Sequence, residues 1–170
     1  MRFPVVIGLL LLALVLSGCV QSQLKTRDTS QIAPTSITTF QVISNAEICQ
    51  QDGKPIIRLY STTWCPHCKW INDTFNGVMK EYVDQGKIVA MHWDVDIKDD
   101  QFTPKIDDDF PVSELELFQS VNPNGTIPTY VFGCKYYRVG NGFETQDDLD
   151  AEAGEFKALI EKLLAESDSN

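Results

Sequence analysis

The stretch Pro-Ile-Ile-Arg-Leu-Tyr-Ser-Thr-Thr-Trp-Cys-Pro-His-Cys, residues 55–68, decides the fold of this chain. Its first six residues predict a buried strand, and the segment after Cys68 has the apolar period of a helix. Cys65 and Cys68 are separated by two residues, so they can close a disulfide within one helical turn and exchange two electrons. At a strand-to-helix junction this spacing favours redox chemistry over a zinc site.

The helix after the motif is predicted from four apolar residues that share one face. Ile71, Phe75, Val78 and Tyr82 lie at positions i, i+4, i+7 and i+11, and Gly86 is predicted to end the helix. Other strands are predicted over residues 37–43, 87–93, 127–132 and 135–139. Other helices are predicted from Ser44 or Asn45 to Gln51, and over residues 112–120 and 146–165. The acidic residues 94–109 are predicted to form an irregular loop.

The N-terminus has the features of an export signal. Arg2 precedes an uncharged apolar run over residues 4–16, which is too short to span a bilayer comfortably. The run ends in Leu16-Ser17-Gly18-Cys19, which resembles a lipobox and implies cleavage before Cys19 and lipidation of that cysteine. A plain signal peptide or an uncleaved anchor is the alternative. Each interpretation places the protein outside the cytoplasm and at a membrane.

The predicted domain organisation follows from composition. Residues 1–18 are the predicted signal peptide, residues 19–36 a polar flexible tether, residues 37–166 one globular domain and residues 167–170 a tail. The net charge is −10 and there is no basic stripe, so nucleic acid is not an expected partner. We expect a monomer that meets the membrane through the lipid on Cys19.

The predicted order β-α-β-α-β-α-β-β-α resembles the thioredoxin fold over residues 37–165. The resemblance depends on Trp64-Cys65-Pro66-His67-Cys68 and on Thr126-Ile127-Pro128-Thr129. It implies an α/β fold with a central mixed sheet of about four to five strands and helices on both faces. It also implies a cis peptide bond before Pro128 and a substrate-binding edge formed by Trp64, Ile127 and Pro128. The alternative is a trans proline that opens a strand.

The resemblance also assigns roles within the motif. Cys65, at the positive end of the helix dipole, is the expected nucleophile, and Cys68 is the resolving thiol. Pro66 suits the first helical turn, and His67 is expected to tune the redox potential unless it is an exposed spacer. The Cys-Pro-His-Cys sequence resembles DsbA-type periplasmic oxidases, which implies a dithiol oxidase.

Two departures from these families concern the surroundings of the motif. Thioredoxins and DsbA-type proteins carry a buried acid six residues before the first active cysteine, where this chain has Leu59. Proton removal from Cys68 must therefore use water or another group. Residues 94–120 are also too few for the helical insertion of DsbA-type proteins.

The remaining cysteines, Cys49 and Cys134, are expected at the same pole of the predicted fold. We predict a structural disulfide between them, with two free thiols as the alternative. No cofactor and no metal are expected. The acidic loop lacks the glycine and glutamate of a calcium loop, and His92 is expected to point away from the cysteines.

Together these observations predict a membrane-tethered, extracytoplasmic thiol–disulfide oxidoreductase. It would oxidise cysteines of exported proteins and be recharged by an unidentified redox partner in or at the membrane. One alternative is a reductase or isomerase of exported protein thiols. The other is a non-enzymatic lipoprotein that uses the same fold for binding or metal delivery.

Overall fold

The computed structural model of this chain describes residues 39–168. The predicted signal peptide, the lipidation of Cys19 and the tether lie outside the described residues. The strands and helices of the described part are β1 (Gln41–Val42), β2 (Gln50–Gln51), β3 (Lys54–Ser61), α1 (Pro66–Asp84), β4 (Val89–Asp94), β5 (Asp99–Asp100), α2 (Val112–Val121), β6 (Thr129–Phe132), β7 (Tyr136–Val139), a 3-10 turn (Glu144–Gln146) and α3 (Leu149–Ser167).

Strand β3 lies at the centre of a mixed sheet. It pairs in parallel with β4 and antiparallel with β6. Across the described residues the sheet has seven strands in the order β1-β7-β6-β3-β4-β5, and β2 pairs with the start of β3. The predicted mixed α/β fold is confirmed, with more strands than expected. The extra strands are pairs of residues such as Gln50–Gln51, which are too short to show an alternating pattern.

Helices cover both faces of the sheet, as predicted. Ile57 and Leu59 of β3 pack into a large core cluster with residues of α1 and α3, including Phe75 and Phe156. On the opposite face Tyr60 packs with Trp93, Phe118 and Val131, under helix α2. A strand buried on both faces reads as a nearly continuous apolar run, and this explains the sequence of β3.

Helix α1 begins and ends close to the predicted positions. Pro66 is its first residue, and all four predicted face residues are buried. Gly86, two residues beyond the end of the helix, has a φ of 69°, which glycine adopts without steric cost. None of the helices within residues 39–168 is long and apolar enough to cross a membrane.

The predicted helix from Ser44 or Asn45 to Gln51 is wrong. Asn45 has a φ of 58°, which a right-handed helix excludes. The backbone of Cys49 instead bonds across the fold, because its N–H donates to Gly133 O at 3.0 Å and its carbonyl accepts from Ile56 N at 3.1 Å. This segment therefore extends the sheet rather than forming a separate helix.

Two other predicted boundaries are also corrected. The residues that were assigned to an acidic loop include the end of β4 at Asp94 and the short strand β5. The last helix begins at Leu149 rather than at residue 146, because the Asp148 side chain accepts a hydrogen bond from Ala151 N and caps it.

Cys49 and Cys134 form a disulfide with a Cα–Cα distance of 5.4 Å. Arg58 lies beside it, with Nη1 3.3 Å from the Cys49 sulfur, and its Nε donates to Glu114 of α2 at 2.8 Å. The disulfide thus joins the segment before β2 to the turn between β6 and β7, and the buried ion pair joins β3 to α2.

We predict that replacing both Cys49 and Cys134 by alanine lowers the free energy of unfolding by about 4–5 kcal/mol, because the bond closes a loop that spans 85 positions. Guanidinium denaturation of the oxidised protein measures the change. The pair Cys65→Ser and Cys68→Ser is the control and should lose far less, since its loop is only a few residues long. Equal denaturation midpoints for the wild type and the Cys49/Cys134 variant would contradict the prediction.

Candidate active site

The Cys65 motif lies where the central strand passes into helix α1. Cys65 is the N-cap residue, with extended backbone angles, and its carbonyl accepts the first helical hydrogen bond from Lys69 N at 3.0 Å. Pro66 follows at the first helical position, where its missing N–H costs no hydrogen bond. The Cys65 side chain therefore lies at the end of the helix where unpaired N–H groups attract negative charge.

Both thiols are free and almost fully buried, with 4% of Cys65 and 3% of Cys68 exposed. The exposed fraction therefore does not distinguish the two cysteines. Burial raises the pKa of Cys68 to about 12, and its hydrogen bond with Cys65 and the charge of Asp94 act in the same direction. A hydrogen bond from the backbone of Thr62 opposes this rise. Cys68 is thus a thiol at neutral pH.

The Ile127–Pro128 peptide bond is cis. Tyr60 of β3 pairs with Thr129 of β6, so Pro128 lies level with Ser61, the last residue of β3, at the end of the sheet where the Cys65 loop begins. The Asn122 amide holds this turn by donating to Thr126 O at 2.5 Å and to Thr129 Oγ1 at 2.8 Å.

The other predicted edge residues differ in their surroundings. Trp64 is 66% exposed directly before Cys65, so it presents a large apolar surface beside the motif. Ile127 is half-buried and packs against the Tyr60 cluster on the α2 face. An exposed indole next to a redox cysteine is suited to contact an apolar part of another molecule.

A loop after β7 contacts the redox motif. His67 is mostly exposed, and its Nδ1 lies 2.7 Å from Glu144 Oε1. Asn141 donates to the His67 carbonyl at 3.0 Å and to Glu144 Oε2 at 2.8 Å. Asp147 accepts from the Trp70 indole at 2.8 Å. Three residues of one loop therefore hold the first two turns of α1.

Five side chains form a closed ring of polar contacts, and each contact is between 2.6 and 2.9 Å long. Ser61 Oγ donates to Asp94 Oδ1 at 2.6 Å and lies 2.9 Å from His92 Nε2. His92 Nδ1 is 2.7 Å from Asn76 Oδ1, and Asn76 Nδ2 donates to Gln101 Oε1 at 2.8 Å. Gln101 Nε2 donates to Asp94 Oδ2 at 2.8 Å and closes the ring. The ring links β3, β4, α1 and the residue after β5.

The His92 ring lies on the face of the sheet that α1 covers, and Ser61 connects it to Asp94. Burial lowers the pKa of His92 to about 4, although the Asp94 charge acts in the opposite direction, so the imidazole is neutral at physiological pH. Within residues 39–168 no group of three His, Cys, Asp or Glu side chains could hold a metal ion.

Cys68 and three members of this ring, Ser61, Asp94 and Gln101, line a common cavity of about 290 Å³. Polar residues dominate its wall, and one of them, the buried Thr62 hydroxyl, has no hydrogen-bond partner among the described residues. The residues that line the cavity are Ser61, Thr62, Thr63, Cys68, Lys69, Asn72, Asp94 and Gln101. The Cys68 sulfur and the Asp94 carboxylate thus face one polar space.

Comparison with known proteins agrees with this arrangement. The family model for thioredoxin matches residues 36–114, which include β3, the cysteine motif, α1 and β4. The fold is thioredoxin-like. No curated protein matches the sequence. A thioredoxin-like fold with two free cysteines in one helical turn indicates thiol–disulfide redox chemistry.

The thioredoxin-like fold brings together site residues that sequence reasoning missed. Asn141 and Glu144 contact His67 from 74 and 77 positions away. Both residues lie in the loop after β7, where the sequence contains no recognisable motif, so the local sequence gives no indication of this contact. Asp94 is the first residue of the acidic segment that the sequence predicts as an irregular loop, and only its pairing with the last residue of β3 shows that it is buried beside the motif.

Proposed function

We propose that this protein is an extracytoplasmic, membrane-tethered thiol–disulfide oxidoreductase that oxidises cysteine pairs in exported proteins. The observation that carries the proposal is the pair Cys65 and Cys68 at the start of α1, within a thioredoxin-like fold. The Cys-Pro-His-Cys sequence favours the oxidase direction, because a donor or positive charge on His67 near the Cys65 sulfur stabilises the reduced form.

The exchange proceeds in two steps. A substrate thiolate attacks the Cys65 sulfur of the oxidised pair, the Cys65–Cys68 bond breaks, and the Cys68 sulfur leaves with the electron pair and takes up a proton. The second substrate thiolate then attacks its partner's sulfur in the mixed disulfide and releases Cys65 as a thiolate. The substrate loses two electrons and gains a disulfide, and the protein becomes a dithiol that its membrane partner must reoxidise.

The surroundings of the motif support a protein substrate rather than a small thiol. Trp64 offers an exposed apolar surface on one side of Cys65, and the turn before Pro128 lies at the same end of the sheet. An extended substrate segment would lie along residues 126–128, with its cysteine directed at Cys65. Backbone pairing at a strand edge accepts many sequences, which suits an enzyme with several substrates.

One observation favours the alternative of a reductase or isomerase. Glu144 lies 2.7 Å from His67, so a carboxylate accompanies the group that would stabilise negative charge at the motif. A negative charge near a thiolate disfavours it and thereby destabilises the reduced form. The pairing would move the potential of the cysteine pair towards that of reducing thioredoxins.

The reduction potential of the Cys65–Cys68 pair decides between the two directions. For an oxidase we expect a value closer to the roughly −120 mV of DsbA than to the roughly −270 mV of thioredoxin. Glu144→Gln should raise the potential by about 10–30 mV, since a tenfold change in the equilibrium is about 30 mV. Asp147→Asn removes the same charge from the same loop and should change the potential less. A wild-type value near that of thioredoxin would contradict the oxidase direction.

The catalytic cysteines are tested with reduced, unfolded ribonuclease as substrate. We expect the oxidised wild type to restore ribonuclease activity and Cys65→Ser to lose this effect, because no mixed disulfide can form. With the substrate oxidised instead, Cys68→Ala should accumulate a mixed disulfide on Cys65, which mass spectrometry identifies. If Cys65→Ser performed like the wild type, a non-enzymatic binding role would replace the proposal.

The proposed membrane tether is inferred from the sequence before residue 20, in particular from Leu16 to Cys19. When the full chain is expressed in bacteria supplied with labelled palmitate, we expect label in the wild type and recovery in the membrane fraction. Cys19→Ser should carry no label, and Cys49→Ala, which also lacks one cysteine, should keep it. Label that persists in Cys19→Ser would contradict lipidation at this residue.

A further inference from the structure

We propose that the Asp94 carboxyl group exchanges a proton with the Cys68 thiol, across the cavity beside α1, each time the Cys65–Cys68 bond forms or breaks. The inference rests on the proposed thiol–disulfide exchange at these cysteines. It assigns a role to a residue at the end of β4, on a different strand from the one that leads into the motif.

The exchange at Cys68 requires a partner for its proton. Only 3% of the residue is exposed, and its thiol keeps its proton at neutral pH. To attack the Cys65 sulfur, Cys68 must lose that proton, and as a leaving group it must gain one. Leu59, the apolar residue six positions before Cys65, is fully buried and offers no acid or base.

The position of Asp94 meets this requirement. Asp94 ends β4 opposite Ser61, the last residue of β3, and only 7% of it is exposed. Its two oxygens are held from different sides, by Ser61 Oγ at 2.6 Å and by Gln101 Nε2 at 2.8 Å. The ring through His92 and Asn76 fixes both of these donors in turn. A carboxyl group held this way keeps its orientation towards the cavity.

The cavity supplies the path between the two groups. Its volume of about 290 Å³ and the polar side chains among its lining residues suit several water molecules. The Thr62 hydroxyl lines it without a hydrogen-bond partner among the described residues, so a water in the cavity would satisfy that group. Such water would carry a proton between Cys68 and Asp94 without direct contact between them.

The other groups around Cys68 do not replace Asp94. His92 is neutral at physiological pH, and it reaches the cavity only through Ser61. Burial keeps the pKa of Tyr130 far above its ordinary value, so this phenol stays protonated. The titratable and charged groups near Cys68 on the motif, α1, β4 and β6 are Cys65, Lys69, Asp94 and Tyr130.

The proton and electron balance is the same in both directions. When Cys68 attacks Cys65 in a mixed disulfide, the Cys68–Cys65 bond forms, the bond to the substrate sulfur breaks, and Asp94 receives the Cys68 proton. When a substrate thiolate attacks Cys65, the Cys65–Cys68 bond breaks and Asp94 returns a proton to the Cys68 sulfur. Asp94 is regenerated over a full cycle by exchange with solvent at the cavity mouth.

The negative charge of Asp94 and its role as a base have opposite effects on the rate at which Cys68 attacks, and this makes the test specific. Its negative charge raises the pKa of Cys68, so removing the charge should by itself make the thiolate more available. Loss of a proton acceptor should instead slow the attack by Cys68. A slower reaction in Asp94→Asn therefore cannot result from the change in charge.

The experiment follows the reaction of the reduced protein with Ellman's reagent in a stopped-flow instrument. Cys65 attacks the reagent and releases one coloured thiolate, and Cys68 then attacks the mixed disulfide and releases the second. We expect Asp94→Asn to leave the first phase unchanged and to slow the second about 100-fold at pH 7, the lower end of general acid–base contributions. The difference should shrink as the pH rises towards 10, because hydroxide then removes the proton.

Two further variants complete the test. Asp96→Asn removes a neighbouring exposed carboxylate that binds Thr63, and its second phase should match the wild type. Ser61→Ala keeps the Asp94 carboxylate but releases one of its donors, so it should slow the second phase by several-fold with the same pH profile. If Asp94→Asn does not fold, Ser61→Ala alone must show this slowing.

Three outcomes would overturn the assignment. They are an unchanged second phase in Asp94→Asn, slowing by the same factor at every pH, and equal slowing in Asp96→Asn. A wild type that shows no second phase would be different, because it would mean that Cys65 and Cys68 do not form a disulfide and would count against the proposed function itself.

Discussion

The burial of strand β3 on both faces is the constraint from which the rest of this structure follows. Its Leu59 face belongs to the core under α1 and α3, and its Tyr60 face belongs to the cluster under α2. A slip of this strand by one residue in register would move every side chain to the opposite face. The end of β3 at Ser61 is therefore well defined, and with it the start of α1 five residues later at Pro66.

Buried ion pairs fix the position of the loop that contacts the motif. Arg138 of β7 pairs with Glu152 at 2.6 Å and with Glu155 at 3.0 Å, both in α3, and its guanidinium lies over the Tyr130 ring. Glu152 also accepts from the backbone N–H of Gly142 at 2.6 Å. The first turn of α3 thus holds the loop that contains Asn141 and Glu144, and this loop in turn contacts His67.

The two disulfide-forming pairs occupy different environments in the same fold. Cys49 and Cys134 are half-buried, lie beside the Arg58 guanidinium and join segments that are 85 positions apart. Cys65 and Cys68 lie one helical turn apart at the opposite end of β3, beside a polar cavity. A long closed loop stabilises the folded state, whereas an adjacent pair with access to a proton acceptor suits repeated exchange.

Much of the architecture was predictable because its signals are local. The apolar face of α1, with Phe75 at its centre, repeats at the period of a helix, and the four long strands have continuous or alternating apolar runs. The segment from Ser44 to Gln51 was misassigned because its hydrogen bonds go to Gly133 and Ile56, and no local propensity reports such partners. The short strands β2 and β5 are absent from the sequence prediction for the same reason, whereas β1 lies within the strand predicted over residues 37–43.

The sequence by itself determined the chemistry of the site, because two thiols in one helical turn after a buried strand are a local pattern. It also determined the class of fold, because the spacing of apolar residues within each long segment distinguishes helices from strands. Only the tertiary structure decided which polar groups surround those thiols. Asp94, His92 and Glu144 resemble any other polar residues along the chain, and they approach the motif only because parallel pairing of β3 with β4 and the turn after β7 bring distant positions together. Long-range pairing has no signature within one segment, so the environment of Cys68 became visible only in the folded molecule.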